Sequence, residues 1–129
     1  MSIHMSGHNG VSMSRTNDRL TVILQGDVMP ETLSALSTKL LEYIQTNRIR
    51  LVIFDLSAIA LLDLTEFNAL HSIALMIKLM GAEIIFTGFN PGIVAFLISA
   101  GADVSGIHTA SGYEDIDRVL SKKGISGYA

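Results

Sequence analysis

Four consecutive apolar residues, Leu51-Val52-Ile53-Phe54, end abruptly at Asp55, and this run constrains the fold more than any other stretch of the chain. A strand with no polar alternate has no face to give to water, so it belongs inside a sheet covered on both sides. Its neighbours in sequence supply the cover. Upstream, Leu33, Leu36, Leu40, Leu41 and Ile44 recur at helical spacing from Glu31 to Arg48, behind a Pro30 placed where a helix can begin. Downstream, the apolar stretch Ile59 to Leu62 leads to Asp63 and a helical pattern reaching about Met80, where Gly81 offers a left-handed stop. Arg19 to Leu24 and Glu83 to Thr87 read as further strands, the first ending at Gly26-Asp27. Gly88-Phe89-Asn90-Pro91 turns the chain into a third helix ending near Gly101, with Asn90 as N-cap and Pro91 at its first position. A weak strand around Gly106 to His108 precedes a last helix from about Gly112 to Lys122, for which Ser111 and Glu114 suit a capping box. Strands alternating with helices give an α/β chain with a largely parallel sheet.

Size and composition narrow the function. At 129 residues the chain has room for one ordinary domain. Met1 to Asn17 is rich in Ser, Gly, His, Asn and Met without apolar period, so it is expected to be a flexible tail that cannot repay the entropy of ordering. The expected domain is 18–123, with a short C-terminal tail over 124–129. A net charge of −3 and no basic run longer than Lys122-Lys123 leave no footprint for nucleic acid. The absence of cysteine removes disulfides, thiolate metal sites and thiol catalysis. No apolar run approaches the length needed to span a bilayer, and no signal-peptide pattern opens the chain. The expectation is a cytoplasmic protein with no membrane contact.

Catalytic and cofactor chemistry find no purchase either. His4, His8, His71 and His108 lack metal-ligand spacing, so they read as exposed or capped histidines and no metal is expected. No nucleophile elbow surrounds any serine, and Gly88-Phe89-Asn90-Pro91-Gly92 lacks the Lys and third Gly of a phosphate loop. Asp55 at a strand end resembles, in position alone, the phosphate-accepting aspartate of response-regulator receivers. The acidic pair and the late Lys that such a site uses are missing.

Asp63-Leu64-Thr65-Glu66 is the most informative tetrapeptide. As local structure, Asp63 with Glu66 three residues on is a capping-box variant worth about 1 kcal/mol. As a site, it puts the Thr65 hydroxyl in the first helical turn. A phosphate there would meet free backbone N–H groups and the positive helix end, opposed by the charges of Asp63 and Glu66. Such opposed effects suit a surface switch. The helix that follows is apolar beyond one face, with Leu75, Met76, Leu79 and Met80 added to Leu70, Ile73, Ala74 and Ile77. A neighbouring helix or a subunit interface must cover the excess.

With these residues in place, the chain from about Leu20 to Leu120 resembles a STAS domain, the module of bacterial anti-sigma-factor antagonists, stressosome proteins and the cytoplasmic tails of anion permeases. The resemblance rests on Leu51-Val52-Ile53-Phe54-Asp55-Leu56-Ser57, on Leu61-Leu62-Asp63-Leu64-Thr65, and on Leu79-Met80-Gly81-Ala82 leading to Thr87-Gly88-Phe89-Asn90-Pro91. The stretch from Met80 through Pro91 into Ile93-Val94-Ala95 is nearest the stressosome branch. The family implies a sheet of four to five strands, mostly parallel, with four helices packed mainly on one side. It also implies a non-enzymatic protein ligand, without a cofactor, of a GHKL-type serine/threonine kinase or anti-sigma factor. In simple antagonists the phosphorylated hydroxyl lies two places after the Asp, which is Thr65. In stressosome proteins it follows the Asp directly, where this chain has Leu64, and a second phosphosite falls near Phe96. Asp63, Leu64, Thr65, Glu66, Phe89 and Asn90 are therefore the expected partner-binding residues, with Thr65 the expected phosphorylation site. Other STAS proteins are expected as further partners, and the chain is expected to be a homo-oligomer; the alternative is an unphosphorylated scaffold subunit that only assembles with other STAS proteins. The tail of an anion transporter is less favoured, because Met1 and a polar segment open the chain.

Overall fold

A computed structural model describes residues 10–26 and 28–122. The expected turn residue Asp27, the histidines His4 and His8, the first nine residues and the expected tail over 124–129 lie outside the described residues. The chain runs β1 (Val11–Thr16), β2 (Arg19–Gln25), α1 (Pro30–Asn47), β3 (Leu51–Ala58), α2 (Leu64–Leu79), β4 (Glu83–Thr87), α3 (Pro91–Ser99), β5 (His108–Ala110) and α4 (Ile116–Lys122). The five strands lie side by side in sequence order, β1 antiparallel to β2 and every other pair parallel. This is the α/β arrangement with a mostly parallel sheet that the alternation implied.

The central strand β3 is buried from Leu51 to Leu56, as its unbroken apolar run requires. Its alternate residues serve two different cores. Val52, Phe54 and Leu56 join the main cluster under α1, α2 and α3. Leu51 and Ile53 join a smaller one with Ile85, Ala110, Ile116 and Leu120, closed by α4. Three helices thus cover one face and the last helix the other. Phe54 and Phe86, on adjacent strands, meet edge to face with ring centroids 5.3 Å apart, a favoured aromatic geometry.

Three local expectations are corrected. Val11–Thr16, assigned by composition to a tail, is a strand whose every residue pairs with β2, from Val11 opposite Leu24 to Thr16 opposite Arg19. Val11 and Met13 are buried. Their alternation with serine, not the mean polarity, was the relevant signal. The last strand sits at His108–Ala110 rather than Gly106–His108, because parallel pairing sets Thr87 opposite Ala110. The Ser111/Glu114 capping box does not form. Tyr113–Asp115 make a 3-10 turn without a side-chain cap, and the Ser111 hydroxyl donates to Asp115 instead.

Gly88 fixes how the ends of β3 and β4 approach each other. Its φ is +83°, and a Cβ there would lie 2.6 Å from the backbone nitrogen of Ser57. Only glycine admits both the left-handed backbone and that contact, which holds the turn before α3 against the end of β3.

Candidate functional site

The carboxyl ends of β3 and β4 and the starts of α2 and α3 meet along one rim. At α2, the Asp63 carboxylate accepts the Glu66 N–H at 2.7 Å, and the Glu66 carboxylate accepts the Asp63 N–H at 2.9 Å. This is the reciprocal capping box the spacing implied. At α3, the Asn90 side-chain oxygen accepts the Ile93 N–H at 2.9 Å, with Pro91 at the first helical position. The Asn90 amide nitrogen also donates to the carbonyls of Ile59 and Ala60 at 3.4 and 3.5 Å. Asn90 therefore caps one helix and tethers the loop that leads into the other.

The first turn of α2 is a ridge between two grooves. On one side, Ala60, Leu61, Leu62, Asp63, Asn90, Ile93 and Phe96 line a groove of about 390 Å³. Leu61, 85% exposed, stands at its edge. On the other side, Thr65 and Glu66 face α1 across a groove of about 240 Å³ whose far wall is Pro30, Leu33, Ser34 and Ser37. Thr65 is exposed, while Leu64 and Glu66 are half-buried. Of the expected partner-binding residues, Asp63 and Asn90 share the first groove and Thr65 and Glu66 the second. Phe89 turns away to stack at a tilt on Phe86, ring centroids 5.8 Å apart. Sequence reasoning did not assign Leu61 or Phe96 to the site. Their apolar character beside polar caps was the available signal.

On the opposite face of the sheet, β3 ends in a polar knot. The Asp55 carboxylate accepts the Ser57 N–H at 2.9 Å, the Ser57 hydroxyl at 2.6 Å and the Tyr113 hydroxyl at 2.6 Å. Burial pushes the Asp55 pKa up, but the hydrogen bonds from the Ser57 hydroxyl, Tyr113 and the Ser57 amide outweigh it and hold the carboxyl below its usual range. The Tyr113 hydroxyl is pushed well above the usual tyrosine value by burial, then by its hydrogen bond to Asp55 and by that charge. With its oxygens occupied by donors, and no group of three metal-ligating side chains among the described residues, Asp55 serves as a structural anchor. Asp-x-Ser spacing could have announced the Ser57 contact. Nothing local announces Tyr113, 58 residues away. Beside the knot, the buried Thr87 hydroxyl has no hydrogen-bond partner among the described residues.

The reading of His71 as exposed or capped is corrected. It is buried, and its Nε2–H donates to the Ser105 carbonyl at 2.7 Å. The surplus apolar side of α2 divides. Met76 is half-buried and lines the groove shared with α1, whereas among the described residues Leu75 and Met80 are only partly covered and Leu79 is 87% exposed. Among the described residues no helix is long and apolar enough to cross a membrane.

Comparison with known proteins agrees with this geometry. The model of the STAS domain family matches residues 10–112, from just before β1 to just before Tyr113. No curated protein matches the sequence. Among solved structures, the fold is similar to a Ser-to-Glu variant of RsbS from Moorella thermoacetica, at 21% identity and a TM-score of 0.73, over 89% of this chain and 98% of that one. It is also similar to a chain of the stressosome, described as a signal integration and transduction hub, at 20% identity and a TM-score of 0.72, over 86% and 97%. A third likeness is to the anti-sigma factor antagonist SpoIIAA in its unphosphorylated form, at 15% identity and a TM-score of 0.66, over 91% and 99%.

Proposed function

The chain belongs to the STAS domain family, whose members are non-catalytic regulatory and binding modules, and from that premise we propose that it is a phosphorylation-controlled protein ligand of the anti-sigma-factor-antagonist and stressosome type. Its partner is a serine/threonine switch kinase of the GHKL type or an anti-sigma factor, met in the cytoplasm. The observation that carries this reading is the first turn of α2, where a closed capping box leaves Thr65 as an exposed hydroxyl on a ridge between two grooves.

The chemistry supports a local switch. Because Asp63 and Glu66 already satisfy each other, the helix start does not depend on Thr65. A phosphate there adds one to two negative charges at the docking ridge without breaking a bond of the fold. The neighbouring groove offers a partner Leu61 and Phe96, apolar surface framed by the polar Asp63 and Asn90.

Binding measurements with a GHKL-type serine/threonine kinase test the proposal. Thr65→Glu is expected to weaken the complex by about tenfold while Thr65→Ala preserves it, and mass spectrometry after incubation with ATP is expected to find a phosphate on the peptide holding Thr65. Equal binding by both variants removes the switch. One observation favours a second reading, an unphosphorylated scaffold assembling with other STAS chains. Leu64 and Phe96 stand where stressosome relatives carry hydroxyls, and Leu79 is bare. Light scattering separates the two, since particles of many chains support the scaffold and a monomer or dimer the soluble antagonist.

A further inference from the structure

Beneath α3, away from both rim grooves, lies a cavity of about 560 Å³, within the range of about 300–1,000 Å³ that small-molecule sites occupy. Its inner wall is Phe67, Phe89 and Leu97, and Ile98 and Val104 stand at its mouth. Phe67 is fully buried, whereas Ile98 is 74% and Val104 54% exposed. Among the described residues the lining runs from core to water through apolar side chains, apart from Thr109 and Ser111 at the end of β5, and includes no charged side chain.

We infer that this cavity binds a small neutral amphiphile, an apolar body carrying one hydrogen-bonding group. Volume limits the ligand to small-molecule size. The apolar wall rewards burying a hydrocarbon or aromatic body, and covering Ile98 and Val104 removes apolar surface that the free protein leaves in water. With no cation among the described lining residues, an anionic head would lose hydration without a counter-charge from them, which selects against carboxylates and phosphates. The polar group of the ligand lies at Thr109 and Ser111, where the Thr109 hydroxyl can donate or accept and the Ser111 hydroxyl, already donating to Asp115, can accept. The lip is itself held in shape. Asp103 accepts the Ser105 N–H, His71 takes the Ser105 carbonyl, and Lys78 donates to the Gly106 carbonyl at 3.2 Å. Val104 is therefore presented by a braced loop, and the site is formed before the ligand arrives.

The test uses the full chain and the neutral fluorophore N-phenyl-1-naphthylamine. Saturable binding at one site per chain is expected, with an enhanced, blue-shifted emission. Val104→Trp and Ile98→Trp, both at exposed positions that the fold tolerates, should each weaken it by about tenfold or more. Leu79→Ser, which removes a still more exposed leucine elsewhere, and Thr65→Ala, on the rim, should leave it unchanged. 1-Decanol should displace the fluorophore at concentrations about tenfold lower than decanoate. Unsaturable binding, or an equal response to Leu79→Ser and Val104→Trp, overturns the site. Displacement by decanoate as readily as by decanol overturns the neutral class of ligand.

Discussion

On the face of the sheet that carries α1, α2 and α3, Val52, Phe54 and Leu56 of β3 enter a continuous apolar core reaching from Val11 on the first strand to Leu97 on α3. On the opposite face, Leu51 and Ile53 share a small cluster with Ile85 and Ala110 that, among the described helices, α4 covers with seven residues, and the strand finishes in the hydrogen-bonded knot of Asp55, Ser57 and Tyr113. Three helices can exclude water by area alone, whereas one short helix cannot, and a directed polar contact supplies the positioning that packing leaves incomplete. The broad face consequently has side chains to spare for grooves and rims. The narrow face spends its polar groups on closure.

Truncations at equivalent depth on the two faces put this difference to its largest test. Phe54→Ala removes a fully buried ring from the broad face and should cost about 4 kcal/mol, while Leu120→Ala under α4 should cost about 2 kcal/mol, since a short terminal helix can settle into the space. Equal losses in denaturant unfolding would mean that both faces are closed by packing to the same degree.

A smaller effect separates the faces by pH. Tyr113→Phe should cost about 1 kcal/mol at neutral pH, because it removes a donor from a buried carboxylate. The folded Asp55 carboxyl lies below its ordinary value of 3.8, so its contribution is complete above that value and is lost as pH falls through the lower folded one. The folded Tyr113 hydroxyl lies above its ordinary 10.0, so its contribution is complete below 10 and is lost as pH rises through the folded value. Thermal melts across acid pH should therefore show a shallower loss in Tyr113→Phe than in the parent, and superimposable slopes would remove the knot from the account of the narrow face. The smallest effect has the opposite sign. Thr87→Val replaces a buried hydroxyl without a partner by a methyl group, and should stabilise the chain by up to about 1 kcal/mol. Destabilisation would show that the hydroxyl is in use.

How far the sequence was readable follows the distance over which each feature is determined. The α2 cap is settled within four residues, and Asp63 with Glu66 announced it in full; Asn90 and Pro91 did the same for α3. The burial of β3 on both faces followed from one apolar run. Features fixed by remote partners were hidden. In β1 the alternation of Val11 and Met13 with serine is a short local signal, and its pairing is fixed by lying along β2. The register of β5 is imposed by β4. At the candidate site the caps were legible but the grooves were not, because Leu61 and Phe96 come together only when the loop before α2 and the helix α3 meet.

The antiparallel pairing of β1 has a bearing on the handling of this chain in solution. Its six residues pair with Arg19 to Leu24 of β2, and an uncovered margin of that kind is a row of amide and carbonyl groups ready to accept a strand from another molecule. A chain trimmed at residue 18, the boundary that composition alone suggests, would keep the β2 to β5 sheet and make β2 its edge. It would also bare the surfaces on which Val11 and Met13 now rest. The segment that looked dispensable sets which strand, and how much apolar surface, the sheet presents to neighbouring molecules.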